Sequence, residues 1–495
     1  MKGFGEKRPK KKKKLQTINN KINLDQLIKK AFELQRQGNK IEAGKYYLYL
    51  IKNGIEDYRV FSNYGTFLKE EGKHKEAEIN LKKAIILNPE YANAYYNLAG
   101  IFIDKKDFQQ AEIYLKQAIK HKPNFAIAHY NLGFMLKDLG RLQEAELYTQ
   151  NALEIYPHFS DAYYSLSTIN NKNQNHKWQE KLFSKDLLKN QRSRDLVNIF
   201  FARANILHRK NEYRESAKNL ITANNLKLKM QKSNANFLIK KTNELKQSLS
   251  NLQNNSPKSS NDPLSIFIVG LPRSGSTLIE SIISLNSQVT DLGEVNIFED
   301  SYKEYIETSQ KLNLGEIYKK NIKRINKQAT ITTNKWLFNY QYAGIIAALI
   351  PNARIIHCYR NPLDNILSIY RAHFFNSITF SSSLVDCAEV YSDQKKIMKI
   401  YKNKFKQQIY ELNYDKLVKN PVKEIKSLIY WLKWDWNELY LSPHLNKRQI
   451  STRSNVEVRS PINSKSVGGW KNYKEMLKPA MEIIAKDKEN KDLKY

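Results

Sequence analysis

The chain is poor in cysteine, in long apolar runs and in acid, and each shortage narrows what it can be. Only Cys358 and Cys387 occur among its 495 residues. Two thiols supply neither a disulfide framework nor a CxxC metal pair, so a reducing, cytoplasmic setting is the expectation. No run approaches the ~18 apolar residues of a membrane span. The N-terminus is basic through Lys10–Lys14 but leads into no apolar segment, where a secretory signal needs one. Acid is the third shortage: 82 Lys and Arg face 49 Asp and Glu, a formal charge of +33. That surplus predicts attraction to anions, whether nucleotides, nucleic acid, membrane surfaces or acidic proteins. Much of it reads as solvated helix faces, and residues 1–20 as a disordered basic tail able to make weak anionic contacts. A hydrophobic fraction of 41% supports real cores, and the length requires two or more domains.

The N-terminal half repeats itself with a period of 34. Pro89, Pro123 and Pro157 keep that step, as do Ala43, Ala77, Ala111 and Ala145, and Leu98, Leu132 and Leu166. Gly65, Ala99, Gly133 and Ser167 mark a small-residue position in the same frame. Small residues let two helices approach closely, and the proline ends the second helix before the next unit begins. The pattern resembles the tetratricopeptide repeat, which implies a superhelical solenoid over residues 21–170 whose concave face binds an extended protein or peptide. The repeats read equally well as a spacer that positions the second half or pairs it as a homodimer. Periodicity decays after Asn170, and residues 171–249 read as a helical bridge with a degenerate repeat. Residues 250–263 have linker composition, and a second domain spans 264–495.

That domain alternates strands and helices. Candidate strands are Ser265–Val269, Ala329–Thr333, Arg354–Tyr359 and Gln408–Tyr414. Candidate helices are Thr277–Leu285, Tyr340–Leu349, Leu363–Tyr370 and Val422–Leu432. Alternation predicts a mainly parallel sheet covered on both faces, with ligands outside the strands' carboxyl ends. After the first strand, Gly270 and Gly275 frame four residues and Ser276-Thr277 follow, the spacing of a phosphate-binding loop except that Ser276 stands where lysine is usual. Backbone N–H groups of such a turn and the following helix N-terminus favour an anion. Arg273 is the nearest cation able to replace the lysine. Arg360 ends the third strand, Asn361-Pro362 start a helix, and Ser368 falls two turns in. A guanidinium fork and a hydroxyl suit a second phosphate.

Together these motifs resemble the donor site of the sulfotransferases, and Pro-Arg-Ser-Gly-Ser-Thr at 272–277 is close to the tyrosylprotein branch. The resemblance runs from about Ile266 to Tyr473. It implies that Arg273, Ser274, Gly275, Ser276 and Thr277 hold the 5′-phosphosulfate of 3′-phosphoadenylyl sulfate, the co-substrate, and that Arg360 and Ser368 hold its 3′-phosphate. It places Tyr414 near the adenosine, and Ser454 and Lys471 on a segment folding back over the nucleotide. Glu294 corresponds to the catalytic base, and Lys335, of an Asn-Lys pair, to a cation facing the transferring group. The sequence departs from the family where Trp336 follows Lys335 and where Lys471 follows Trp470.

Sulfuryl transfer, like phosphoryl transfer, is catalysed by positioning and charge stabilisation. Arg273 and Lys335 would stabilise the sulfonyl and leaving oxygens, and Glu294 would take the acceptor proton. A glutamate near pKa ~4.3 is a weak base for a phenol near ~10, so that transfer comes late. No ligand cluster suggests a metal. The expected acceptor is protein tyrosine, recruited by the repeats; a glycan or small-molecule hydroxyl is the alternative. Rival readings are a P-loop kinase or NTPase, which calls for lysine at 276, and a non-catalytic scaffold with a vestigial nucleotide domain. His357 and His373 are rival bases, with His357 inside a strand and so better read as core.

Overall fold

The computed structural model describes residues 24–169, 177–251, 263–308, 310–326, 328–374, 378–446, 448 and 456–486. The basic tail, Ser454 and most of the 250–263 linker lie outside them. The chain divides into two compact units, Met1–Leu132 and Gly133–Tyr495.

The first unit is helical: α1 (Leu24–Arg36), α2 (Lys40–Lys52), α3 (Tyr58–Glu70), α4 (His74–Leu87), α5 (Ala92–Asp104), α6 (Phe108–His121) and the start of α7 (Ala126–Asp138). Consecutive helices pair, α1 on α2, α3 on α4, α5 on α6. The period found in the sequence has a direct packing cause. Ala43, Ala77, Ala111 and Leu98 are buried, and a Cβ on Gly65 would meet the Leu81 side chain at 2.7 Å, so only a small residue lets α3 and α4 close. The turns inside the pairs need a left-handed residue, supplied by Gly38 (φ +81°) and Gly72 (φ +74°), and at the same step by Lys106 (φ +60°).

In the second unit the repeat pattern finishes in α8 (Leu142–Ile155) and α9 (Ser160–Thr168), followed by α10 (Lys177–Phe183), α11 (Ser193–Arg209), α12 (Tyr213–Met230) and α13 (Ala235–Asn251). The α/β part comprises β1 (Leu264–Gly270), α14 (Ser276–Ile283), β2 (Val289–Asp291), α15 (Ile297–Glu307), α16 (Leu314–Ile325), β3 (Ile331–Asn334), α17 (Ala343–Leu349) and β4 (Ala353–Tyr359). It continues with α18 (Pro362–Arg371), α19 (Leu384–Lys404), β5 (Ile409–Asn413), α20 (Tyr414–Lys419), α21 (Pro421–Trp431) and α22 (Lys474–Ala485). Among the described residues the strands form one parallel sheet in the order β2-β3-β1-β4-β5. Alternation along β1 sends Phe267 and Val269 into a core shared with α11, α12, α13, α17 and α19, and Ile266 and Ile268 into one shared with α14 and α21. The expected parallel sheet, covered on both faces, is therefore present. Strand β2 was not expected; Val-Thr-Asp is too short and polar to announce itself. Tyr414, expected to end a strand, opens α20, because Asn413 caps that helix by accepting from Lys416 N at 3.0 Å. No helix among the described residues is long and apolar enough to cross a membrane.

Candidate active site

All five strands point their carboxyl ends the same way, which brings Gly270, Asp291, Asn334, Tyr359 and Asn413 to one edge of the sheet. The loop after β1 is built on left-handed torsions at Arg273 (φ +67°) and Gly275 (φ +93°). A Cβ at Gly275 would meet the Tyr414 ring at 2.3 Å, so glycine is needed both for the torsion and for the approach of α20. Arginine in that region costs energy and persists only when its surroundings fix it. Here they do. Arg273 Nε donates to Ser368 Oγ at 3.0 Å, its other end meets the Glu457 carboxylate, and Asn365 Nδ2 donates to Pro272 O at 3.0 Å. Helix α18 thus holds the loop in shape. Ser274, Ser276 and Thr277 are buried at the loop's end and in the first turn of α14. Ser274 Oγ has no hydrogen-bond partner, and the N-terminus of α14 lies two residues further along the chain.

Arg360 stands at the end of β4, where Asn361 caps α18 through Leu363 N (3.0 Å) and Asp364 N (3.2 Å), with Pro362 in the first turn. The guanidinium lies over the Tyr414 ring, 4.8 Å from its centroid, and donates to Ser466 O at 2.7 Å. Its Nε is buried without a hydrogen-bond partner. The bond from Arg273 to Ser368 therefore joins the two anion-binding elements read in the sequence into one surface.

A third element sits at β3. Lys335 is 1% exposed, and its ammonium lies 2.6 Å from Glu294 Oε1 and 3.8 Å from Glu280 Oε2. Lys335 N donates to Gly293 O at 3.0 Å, which fixes the turn carrying Glu294. Glu280, from α14, is buried; burial pushes its carboxyl above the ordinary range, and the charges of Lys335 and Arg448 oppose that. Arg448 bridges Glu280 (2.9 Å) and Asp291 (2.8 Å). Charged groups of both signs thus alternate under the loop.

Lys471 is exposed, with its N–H on Gly468 O at 3.2 Å, and Ser454 is outside the described residues. The rival histidines are enclosed: His357 bonds Gln394 at 2.6 Å and burial lowers its pKa to about 4, while His373 bonds Asn198 at 3.0 Å and stacks on Phe201. Both rings are buried. Sequence reasoning missed Glu280, Asp291, Arg448, Asp364 and Glu457. Glu280 left a trace, a lone acid in the otherwise apolar or hydroxylated helix Ser-Thr-Leu-Ile-Glu-Ser-Ile-Ile. Asp364 left another, one turn after Arg360. Arg448 and Glu457 come from distant chain and left none.

Residues 263–438 match the family model described as the sulfotransferase family, and residues 68–132 and 126–159 match tetratricopeptide-repeat models. An uncharacterized protein of Aquifex aeolicus (strain VF5) is 30% identical over 242 residues, 44% of this chain; the chain spans only 32% of that relative's length. Among solved structures, the sulfotransferase domain from the curacin biosynthetic pathway is similar at 16% identity, over 46% of this chain and 98% of that one, with a TM-score of 0.35. YrrB, a TPR protein with an unusual peptide-binding site, is similar at 19% identity, over 36% of this chain and 91% of that one, with a TM-score of 0.29.

Proposed function

Because the chain joins tetratricopeptide repeats to a sulfotransferase-family domain, we propose that it transfers the sulfuryl group of 3′-phosphoadenylyl sulfate to an acceptor hydroxyl, with protein tyrosine the first acceptor to test. In this reading residues 264–495 carry the chemistry and the repeats over 21–170 recruit the acceptor. The observation that carries it is the joined anion surface: the loop after β1 and the start of α18 present two cationic elements, linked by Arg273 and Ser368, with Lys335 and Glu294 at the neighbouring strand end. At the first element the buried Ser274 hydroxyl has no hydrogen-bond partner, which supports an anion there.

The acceptor oxygen attacks sulfur, the bond from sulfur to the bridging phosphate oxygen breaks, and adenosine 3′,5′-bisphosphate leaves with the electron pair. Glu294 receives the acceptor proton. Lys335 and Arg273 stabilise the charge that grows on the bridging and sulfonyl oxygens. Lys335 does so from a fixed position, because its ammonium is already held between two carboxylates.

Calorimetric titration in EDTA tests the donor. The chain is expected to bind adenosine 3′,5′-bisphosphate in preference to ATP, and Arg360→Ala to remove that preference, a loss of about ten- to a hundredfold from charge-assisted hydrogen bonds. Preference for ATP once Mg²⁺ is restored would overturn the reading. A second expectation concerns Glu457, 62% exposed, whose carboxylate occupies Arg273. It must leave before a phosphosulfate can take its place. Glu457→Gln is therefore expected to tighten bisphosphate binding by about two- to fivefold, with the gain shrinking in salt. Unchanged affinity at low salt would show that the carboxylate does not compete.

A further inference from the structure

Resting on that donor reading, we propose that Asp364 is a positioning residue for the 3′-phosphate: it fastens the chain segment 466–471 over Arg360 and so completes the cradle that tells a 3′,5′-bisphosphate from a 5′-monophosphate.

The segment around Ser466 comes from about a hundred residues further along the chain than Arg360, and something must hold it there. Asp364 is 3% exposed, in the first turn of α18. Its Oδ2 accepts from Gly468 N at 2.6 Å and its Oδ1 from Trp470 N at 3.0 Å. One carboxylate thereby binds two alternate backbone N–H groups, as a phosphate oxygen would, and bends the segment around itself. Gly468 supplies the left-handed torsion this needs (φ +77°).

The consequence appears at Arg360. Ser466 O, two residues before the first anchored N–H, accepts from Arg360 at 2.7 Å, and Ser466 Oγ lies 3.2 Å from the Tyr414 hydroxyl. The guanidinium is pinned between that carbonyl and the Tyr414 ring, with Asp364 itself at 3.9 Å and Asp415 at 3.8 Å. Its Nε stays without a hydrogen-bond partner although the side chain is buried. A planar fork held by that carbonyl, the Tyr414 ring and two carboxylates has its direction set in part by the segment, and the segment is set by Asp364. Lys471 hangs from the same turn through its N–H to Gly468 O, so its approach depends on the same anchor. Burial, with the charge of nearby Asp415, raises the Asp364 carboxyl above its ordinary range; the two amide bonds and Arg360 oppose that rise, and the anchor has its full strength only as the ionised acid.

The test uses the full chain with Asp364→Ala and the isosteric Asp364→Asn, and Gly468→Ala as a variant that disturbs the turn from the other side. Two readouts are taken: amide hydrogen exchange at residues 466–471, and calorimetric affinities for adenosine 3′,5′-bisphosphate and adenosine 5′-phosphate. We expect the Gly468 and Trp470 amides to lose protection in both Asp364 variants. The affinity ratio of bisphosphate to monophosphate should fall about tenfold or more, while monophosphate binding changes about twofold at most. Lost protection with an unchanged ratio overturns the proposal while leaving the donor reading standing. A wild-type chain that does not favour the bisphosphate overturns the donor reading and the phosphate role together, and exchange then decides only whether Asp364 holds the segment. If Asp364→Ala does not fold, Asp364→Asn and Gly468→Ala carry both readouts, and a retained ratio in either with its turn released refutes the assignment.

Discussion

Lys335→Met is expected to abolish transfer, by about three orders of magnitude or more, and to destabilise the fold at the same time. Methionine keeps the buried stem and removes the charge. The ammonium is one of two cations that face Glu280, and Arg448 remains as the other at 2.9 Å. Removing one partner of a buried ion pair costs about 3–5 kcal/mol when the other is left alone; with Arg448 in place the lower part of that range applies. Glu294 behaves differently, because its side chain is 41% exposed and can turn to water. Glu294→Gln should leave stability within about 1 kcal/mol and nucleotide affinity unchanged, while turnover falls about 10²- to 10⁴-fold. The double substitution Lys335→Met with Glu280→Gln separates the two effects: it should recover much of the stability and none of the transfer. Single-turnover sulfation and denaturant unfolding on the four chains decide the matter. Turnover retained in Glu294→Gln would remove it as base, and recovery of transfer in the double variant would remove Lys335 from the chemistry.

How much of this was legible beforehand follows from how far each interaction reaches along the chain. The loop at Gly270–Thr277 and the strand-end Arg360 announce themselves locally, since glycine at a left-handed turn and a cation after an apolar run are set within a few residues. The 34-residue period was equally plain, because each unit repeats the same small-residue contact, as Gly65 shows against Leu81. The support under these features was not legible. Arg448 reaches Glu280 and Asp291 across more than 150 residues, and Gly468 reaches Asp364 across about a hundred. Nothing in composition or spacing encodes such pairs. Helix α19 escaped for another reason: buried on several sides, its residues include Cys387, Val390, Tyr391, Gln394, Ile397 and Met398, a mixture without a clean amphipathic stripe.

The segment between repeats and loop is the place where composition suggested a connector and packing says more. Phe201, Val197, Leu220, Ala223, Leu245 and Leu249, from α11, α12 and α13, lie in one core with Phe267, Val269, Ile345 and Tyr401 of the α/β part. A Cβ on Gly344 would meet Leu249 at 2.5 Å, a fit that leaves no room for water. Polar groups cross the same boundary. Asn224 donates to Tyr370 O at 3.1 Å, Gln341 to Leu238 O at 2.9 Å, Lys241 pairs with Glu299 at 2.8 Å, and His208 bridges Arg371 (3.0 Å) and the Tyr473 hydroxyl (2.9 Å). A chain beginning at residue 264 would expose that core face and leave those groups unpaired. The apolar burial lost over several large side chains, at about 25 cal/mol per Å², is comparable with the ~5–15 kcal/mol that keeps a domain folded. Such a chain is expected to show no cooperative unfolding and no bisphosphate binding. Within the full chain, Phe201→Ala isolates the same dependence. Phe201 is 0% exposed and stacks on His373 at 4.7 Å, so its loss should cost about 3–5 kcal/mol and lower the melting temperature, with part of the loss recovered by saturating bisphosphate. A chain from 264 that unfolds cooperatively and binds the bisphosphate as tightly as the whole protein would show that α11–α13 only lean on the catalytic half. The predicted failure would show instead that the fold needed to hold Arg273 and Arg360 in place begins well before the phosphate loop.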